Sequence, residues 1–290
     1  MSARVPPVPL SVIEEAVMRA LEEDGAFQDV TTAALAEPAD WGRGVLIARS
    51  EGVIAGLAVA AAAMTLIDDS VSFDELAEDG ARVTPGDELA EIEGRLAALL
   101  AGERVALNFL QRLSGIATLT RAFVDAVDGT GVRILDTRKT TPGLRALERY
   151  AVAIGGGHNH RFNLADGVLI KDNHIAAARQ RGTESIAAIV QKARATAPHT
   201  LRIEIEVATP DEAAEAAEAG ADIILLDNMT PDAIRASVER IGRRAVVEAS
   251  GGVTLDNVRA IAETGVDFIS VGRLTHSAPA LDLSLELQSV

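Results

Sequence analysis

The feature that most constrains this chain is a recurrence. From Val132 onward short apolar runs return roughly every 20 to 35 residues, at 132–135, 168–170, 202–207, 223–226, 245–249 and 268–271. Strands spaced by helix-length stretches are βαβ units, so they predict a parallel sheet with helical crossovers. The helices between them are predicted at 183–195, 210–219, 231–240 and 254–263. Thr209-Pro210 and Thr230-Pro231 start two of them, and Gly220 and Gly265 stop two. Six strands are two short of an eightfold barrel. The expected fold class is therefore α/β, an irregular or incomplete parallel (β/α) barrel.

A smaller α+β domain precedes it. A helix is expected over 11–23, with Ser11 as cap and Glu14 completing a capping box. A hairpin is expected from 44–48 and 53–55 around Ser50-Glu51-Gly52, packed against a helix at 57–67. Short strands at 71–73, 81–83 and 89–92 lie between Gly80, Pro85-Gly86 and Gly94. Residues 96–127 read as mostly helical, with Arg104, Arg112 and Arg121 outside the apolar stripe. The boundaries expected are 1–115 for the N-terminal domain and 116–273 for the barrel, with the tail 274–290 packing back on the former. The stretch 80–94 is similar to a biotinyl or lipoyl carrier, but no lysine precedes Lys139 to be modified.

Charge then points to a site. The chain carries a net −16, yet residues 133–172 hold Arg133, Arg138, Lys139, Arg145, Arg149, Arg161 and Lys171 against Asp136, Glu148, Asp166 and Asp172. Cations gathered in an acidic protein repel one another unless an anion compensates them, so the island predicts an anion pocket. Scattered salt bridges are the plain alternative. The runs 132–135 and 167–170 each end directly in charge, Asp136-Thr137-Arg138-Lys139 in one and Lys171-Asp172 in the other. The carboxyl ends of parallel strands are where α/β folds place ligands. Gly155, Gly156 and Gly157 would let backbone approach a ligand closely.

The opposite wall is acidic. In Arg202-Ile203-Glu204-Ile205-Glu206-Val207 the two glutamates share one strand face, and buried carboxylates need partners; Arg138, Lys139 and Lys171 are the candidates. Glu206 and Asp227 both end strands. The last two strands run into Ser250-Gly251-Gly252 and Val271-Gly272-Arg273, glycine-bearing loops of the phosphate-binding kind, the first leading to a helix that starts near Thr254.

The motifs DTRKTTPGLR, RYAV, GGGHNHRFNLADGVLIKDNH, EIEV, LLDNM and EASGG together resemble quinolinate phosphoribosyltransferase. The likeness runs from about Glu23 to about Glu286. It implies a decarboxylating pentosyltransferase of NAD biosynthesis, in which quinolinate and phosphoribosyl diphosphate give nicotinate mononucleotide, diphosphate and carbon dioxide. It further implies that Thr137, Arg138, His160, Arg161 and the partner chain's copy of Arg104 hold quinolinate, with Lys171 close by. Lys139 and Lys171 would meet the diphosphate, and Glu206 and Asp227 the ribose hydroxyls or Mg²⁺. Ser250, Gly251, Gly252, Val271, Gly272 and Arg273 would take the 5′-phosphate. Lys139, Lys171, Glu206 and Asp227 are the expected catalytic set, Mg²⁺ the expected cofactor, and a homodimer or larger homo-oligomer the expected assembly. The segment 26–28 departs from the family pattern and receives no role. Two rival enzymes stay open: a same-fold homologue linked to molybdate uptake acting on another base, and an aldolase forming a Schiff base through Lys171. A non-catalytic anion sensor is the third rival.

Composition sets outer limits. Without cysteine there is no disulfide and no thiolate chemistry, which fits a reducing cytoplasm. The strongly negative balance argues against nucleic acid. The longest uncharged stretch, 52–67 apart from its turn, is short for a bilayer, and the proline-bearing start lacks an export signal; a cytoplasmic, membrane-free protein is expected.

Overall fold

The computed structural model describes residues 5–182 and 185–289. Thr183 and Glu184, the start of the helix expected at 183–195, lie outside the described residues. Helix α1 (Leu10–Asp24) buries Ile13, Val17 and Leu21 along one stripe and stops at Gly25 in the left-handed conformation. It starts after Pro9 without a side-chain cap, so Ser11 sits inside the first turn and does not cap it. Helix α2 (Val30–Leu35) is capped by Asp29, whose carboxylate accepts from the Thr31 and Thr32 amides; such a cap contributes about 1 kcal/mol.

Strands β1 (Trp41–Ala48) and β2 (Gly52–Val53), helix α3 (Leu57–Thr65), strands β3 (Ser72–Glu75), β4 (Arg82–Val83) and β5 (Glu88–Arg95), and helix α4 (Leu96–Ala126) follow. The expected hairpin does not form: β1 pairs antiparallel with β5, and β2 with β4. The alternating burial of the eight-residue β1 needs a partner of matching length, which the two-residue β2 cannot be.

Next come β6 (Arg133–Leu135), α5 (Arg145–Ile154), β7 (Val168–Ile170), α6 (Asp172–Gln180), α7 (Ile186–Thr196), β8 (Ile203–Val207) and α8 (Pro210–Glu218). Then β9 (Ile223–Asp227), α9 (Pro231–Ile241), β10 (Val246–Ser250), α10 (Val258–Ala262), β11 (Phe268–Ser270), α11 (Arg273–His276) and β12 (Leu283–Ser289) complete the chain. The six parallel strands lie within one residue of their expected bounds. Thr209 and Thr230 cap α8 and α9 through their hydroxyls, each with proline in the first turn.

The chain divides into two compact units. The first takes residues 1–121, 139–156 and 273–290, and the second 122–138 and 157–272. The division expected at 115/116 and these units differ chiefly over 139–156, which group with the first. In that unit β12, β1, β5 and β3 form an antiparallel sheet in that order. Leu99, Leu110, Leu113 and Ile116 of α4 are fully buried, each contributing about 1.5–3 kcal/mol. Arg112, also on α4, is no solvated arginine: its guanidinium donates to the fully buried Glu148, which also accepts from the Thr141 amide and hydroxyl.

The second unit is one parallel sheet in the order β6-β11-β10-β9-β8-β7. Consecutive β6 and β7 therefore lie on opposite edges. His158 bridges Leu135 in parallel, extending the β6 edge by a fragment. Leu135 and Val168, from the two edges, line one cavity together with Glu204 and Glu248 from the middle, so the sheet curls into an open barrel with its interior residues facing each other.

Candidate active site

Side-chain alternation decides what reaches the barrel interior. On β8, Ile203, Ile205 and Val207 are buried in the hydrophobic core, and Glu204 and Glu206 occupy the other face. On β10, Val247 and Ala249 are buried in the same way, leaving Glu248 and Ser250 on the interior side. Two interior levels result, since alternate residues along a strand stand about 6.6 Å apart. Glu206, Asp227 and Ser250 mark the carboxyl-terminal rim, and Glu204 and Glu248 lie deeper.

At the rim Lys171, directly after β7, donates from Nζ to Glu206 Oε2 at 2.8 Å. Asp227 accepts from its neighbour Asn228 at 2.6 Å. Each carboxylate thus has one oxygen engaged. Arg161 donates from Nη1 to the Gly167 carbonyl at 2.9 Å, which braces the loop ahead of β7. Its pKa is lowered by burial and then by the charge of Arg138. Arg138 Nε is buried and has no hydrogen-bond partner among the described residues. Thr137 and Arg138, both partly exposed, follow β6.

Below the rim, His160 meets the deeper acids. Its backbone amide donates to the buried Asp136 at 2.8 Å. Its Nε2 lies 3.3 Å from Glu204 Oε2 and 3.7 Å from Glu248 Oε2. Burial opposes the imidazolium, but Glu204, Glu248 and Asp136 outweigh it and raise the pKa. The Arg161 amide, however, donates to Nδ1 at 2.7 Å, which requires that nitrogen to be unprotonated. In this arrangement the ring is neutral, with Nε2–H donating to Glu204. His160, Glu204 and Glu248 bring ligand-capable atoms within 4.8 Å of one another, but an Nε2 that carries the proton is a donor and not a metal ligand. Glu248, 2% exposed, has its carboxyl pushed up to about 7 by burial and then by Glu204, against His160, Ser270 and Lys171. Its Oε1 has no partner among the described residues.

The glycine loops are built differently from the expectation. Gly251 has φ 90°, and a Cβ there would run into Asn228, whose amide donates to the Ser250 carbonyl at 2.9 Å. The ends of β9 and β10 therefore interlock through that glycine. The helix expected from Thr254 begins at Val258, because Asn257 takes the Thr254 amide at 2.8 Å and donates to the Gly252 carbonyl. The Val271 amide is spent on the Leu135 carbonyl at 2.9 Å. Gly155 makes its close approach to protein: a Cβ there would meet the Ala117 carbonyl oxygen at 2.5 Å.

Arg104, Lys139 and Arg273 belong to the first unit and are exposed. The Lys139 carbonyl accepts from Thr275 Oγ1 at 2.8 Å. Arg145 and Arg149 of the cation island also belong there, on α5, with Arg149 buried. Continuity in sequence had merged two groups of cations that the fold assigns to different units.

Two family models match: quinolinate phosphoribosyl transferase, N-terminal domain, over residues 29–114, and the C-terminal domain over 116–286. The chain belongs to the quinolinate phosphoribosyl transferase family. It is 48% identical over 242 residues to a probable nicotinate-nucleotide pyrophosphorylase (carboxylating) of Bacillus subtilis, covering 83% of this chain and 82% of the relative. With the nicotinate-nucleotide pyrophosphorylase (carboxylating) of Homo sapiens it shares 41% over 288 residues, 98% of this chain and 93% of the relative. The crystal structure of NadC from Streptococcus pyogenes superposes with a TM-score of 0.92 at 43% identity, covering 98% and 99% of the two chains. Membership of this quinolinate family leaves no ground for the aldolase reading of Lys171, whose ammonium is held by Glu206.

The sequence reading passed over Glu248. Its signal was present, since Val246-Val247-Glu248-Ala249-Ser250 repeats the alternation of β8, but the motif was read for its glycines.

Proposed function

We propose that this chain transfers a phosphoribosyl group from phosphoribosyl diphosphate to quinolinate with loss of carbon dioxide, giving nicotinate mononucleotide and diphosphate. The observation that carries this reading is the contact of Lys171 with Glu206 at the carboxyl ends of neighbouring strands, with Arg138 and Arg161 in the same unit, in a chain matched over both domains by the quinolinate family. Two carboxylates ortho on a ring suit two adjacent guanidiniums, and charge-assisted pairs contribute about 1.5–3 kcal/mol each. Holding the pyridine nitrogen in line with the anomeric carbon is the main task, and fixed cations then stabilise the departing diphosphate.

Lys171 and Lys139 serve the diphosphate, and Glu206 and Asp227 meet the ribose hydroxyls or the waters of the magnesium that arrives with it. Their strand-end position and one engaged oxygen each fit that work. Ser250, Gly251, Gly252, Val271, Gly272 and Arg273 are the proposed 5′-phosphate groups. Thr137 and His160 belong to the quinolinate side, and Arg104 acts on the site of a neighbouring copy in a homodimer or larger assembly. No helix among the described residues is long and apolar enough to cross a membrane.

The test supplies quinolinate, phosphoribosyl diphosphate and Mg²⁺, and follows diphosphate and carbon dioxide together. Equimolar release is expected. Turnover of another pyridine or benzoate base with none of quinolinate overturns the reading.

A further inference from the structure

The reaction consumes one proton. When the carboxylate next to the ring nitrogen leaves as carbon dioxide, the electron pair of the broken carbon–carbon bond stays on the ring carbon, which must take up one proton before the carbon dioxide adds back to it. Arginines do not release protons at neutral pH, and Lys171 is committed to Glu206 at 2.8 Å.

Beneath the rim the second unit holds a cavity of about 520 Å³. It is lined by Arg133, Arg202 and Phe268 at the amino-terminal strand ends, and by Arg161, His160, Glu204 and Glu248 within. Arg133 and Arg202 are exposed, so the cavity reaches solvent on the face opposite the rim. Arg133 stands over the Phe268 ring, 6.0 Å from its centre, at that mouth. At the inner end His160 Nε2 lies 3.3 Å from Glu204 Oε2 and 3.7 Å from Glu248 Oε2. Glu248 stands beside Glu204, buried and with an oxygen that has no partner among the described residues, one strand pleat below Ser250. A buried carboxyl in that position is most stable as the neutral acid. The groups facing it are Glu204 from β8, Ser270 from β11, Lys171 from the end of β7, and His160.

We propose that Glu248 supplies the proton taken up by the decarboxylating ring carbon, and is reloaded from solvent through the cavity at the amino-terminal mouth of the barrel. Glu248 loses its acidic proton through cavity water to the ring carbon and becomes a carboxylate. Solvent then returns the proton by the opposite face, so each turnover leaves the protein unchanged. The inference rests on the decarboxylating reading of the site.

The test uses the full-length protein with Glu248→Gln and Glu248→Asp, following diphosphate and carbon dioxide separately in rapid-quench experiments. For Glu248→Gln the expected result is diphosphate release within about threefold of wild type, carbon dioxide release slowed at least about tenfold, and a carboxylated nucleotide accumulating between them. Glu248→Asp, which keeps an acid, is expected to restore part of the second step. Equal slowing of both steps, or no slowing of carbon dioxide release, overturns the proposal. A wild-type protein that fails to turn over quinolinate instead overturns the functional reading itself.

Discussion

Lys171 Nζ and Glu206 Oε2 meet at 2.8 Å across the carboxyl ends of neighbouring parallel strands, and the lysine side chain remains 46% exposed. An exposed pair of this kind contributes at most about 1 kcal/mol to stability. Its place at the rim is where the proposed diphosphate and ribose contacts lie. Lys171→Ala is expected to leave the melting temperature within about 3 °C of wild type. Turnover should fall at least about tenfold, or 1.4 kcal/mol of transition-state stabilisation. Thermal denaturation and steady-state kinetics on one preparation check both halves.

Arg161 and Lys139 are assigned to opposite ends of the reactants, and each loss should show in its own substrate. Arg161→Ala is expected to raise the KM for quinolinate and lower kcat/KM at least about tenfold. Lys139→Ala is expected to cost as much through the diphosphate. Near wild-type kinetics in both variants contradict the assignment.

The raised pKa of Glu248 makes stability pH-dependent in a definite direction. Between its ordinary value and about 7 the folded protein binds a proton that the unfolded chain has released. This group's contribution to stability is therefore complete in acid and lost as pH rises through 7. Glu248→Gln removes the group, so it should raise stability relative to wild type above pH 7, by an amount on the order of a few kcal/mol, with the gain vanishing near pH 4. Denaturant titrations at pH 4.5 and 8 measure the difference; an equal effect at both values contradicts the assignment of burial as the cause.

Gly251 is expected to tolerate no side chain. Gly251→Ala places a Cβ at φ 90° against Asn228, a strain of about 1–3 kcal/mol. The KM for phosphoribosyl diphosphate should rise more than that for quinolinate, because this loop is the proposed phosphate site. Equal changes in both constants argue that the loop only supports the fold.

The proposed reach of Arg104 into a neighbouring site predicts complementation. Arg104→Ala and Arg161→Ala should each retain at most about a tenth of wild-type activity alone. Mixed and reassociated in equal amounts, half of the dimers are hybrids with one intact site of two, giving about a quarter of wild-type activity. Absence of recovery after confirmed subunit exchange contradicts a shared site.

Strand positions were legible because the apolar runs of βαβ units carry their own punctuation, and Thr209-Pro210 and Thr230-Pro231 mark helix starts by local chemistry alone. The ion pair of Lys171 with Glu206 was among the pairings anticipated, since both residues end strands. Pairing between distant strands was not legible: the hairpin expected around Ser50-Glu51-Gly52 lost to β5, far along the chain. The cation island misled in part, because Arg145 and Arg149 turn into α5 of the other unit. Glu248 was missed for a related reason, since only the curl of the sheet brings it to Glu204 and His160.

The central claim is that Arg138 and Arg161 clamp the two carboxylates of quinolinate. Calorimetric titration of quinolinate into wild type, Arg138→Ala and Arg161→Ala tests it most directly. The account predicts at least about tenfold weaker binding in each variant, about 1.4 kcal/mol, with wild-type binding weakened by added salt. Wild-type affinity in both variants contradicts it.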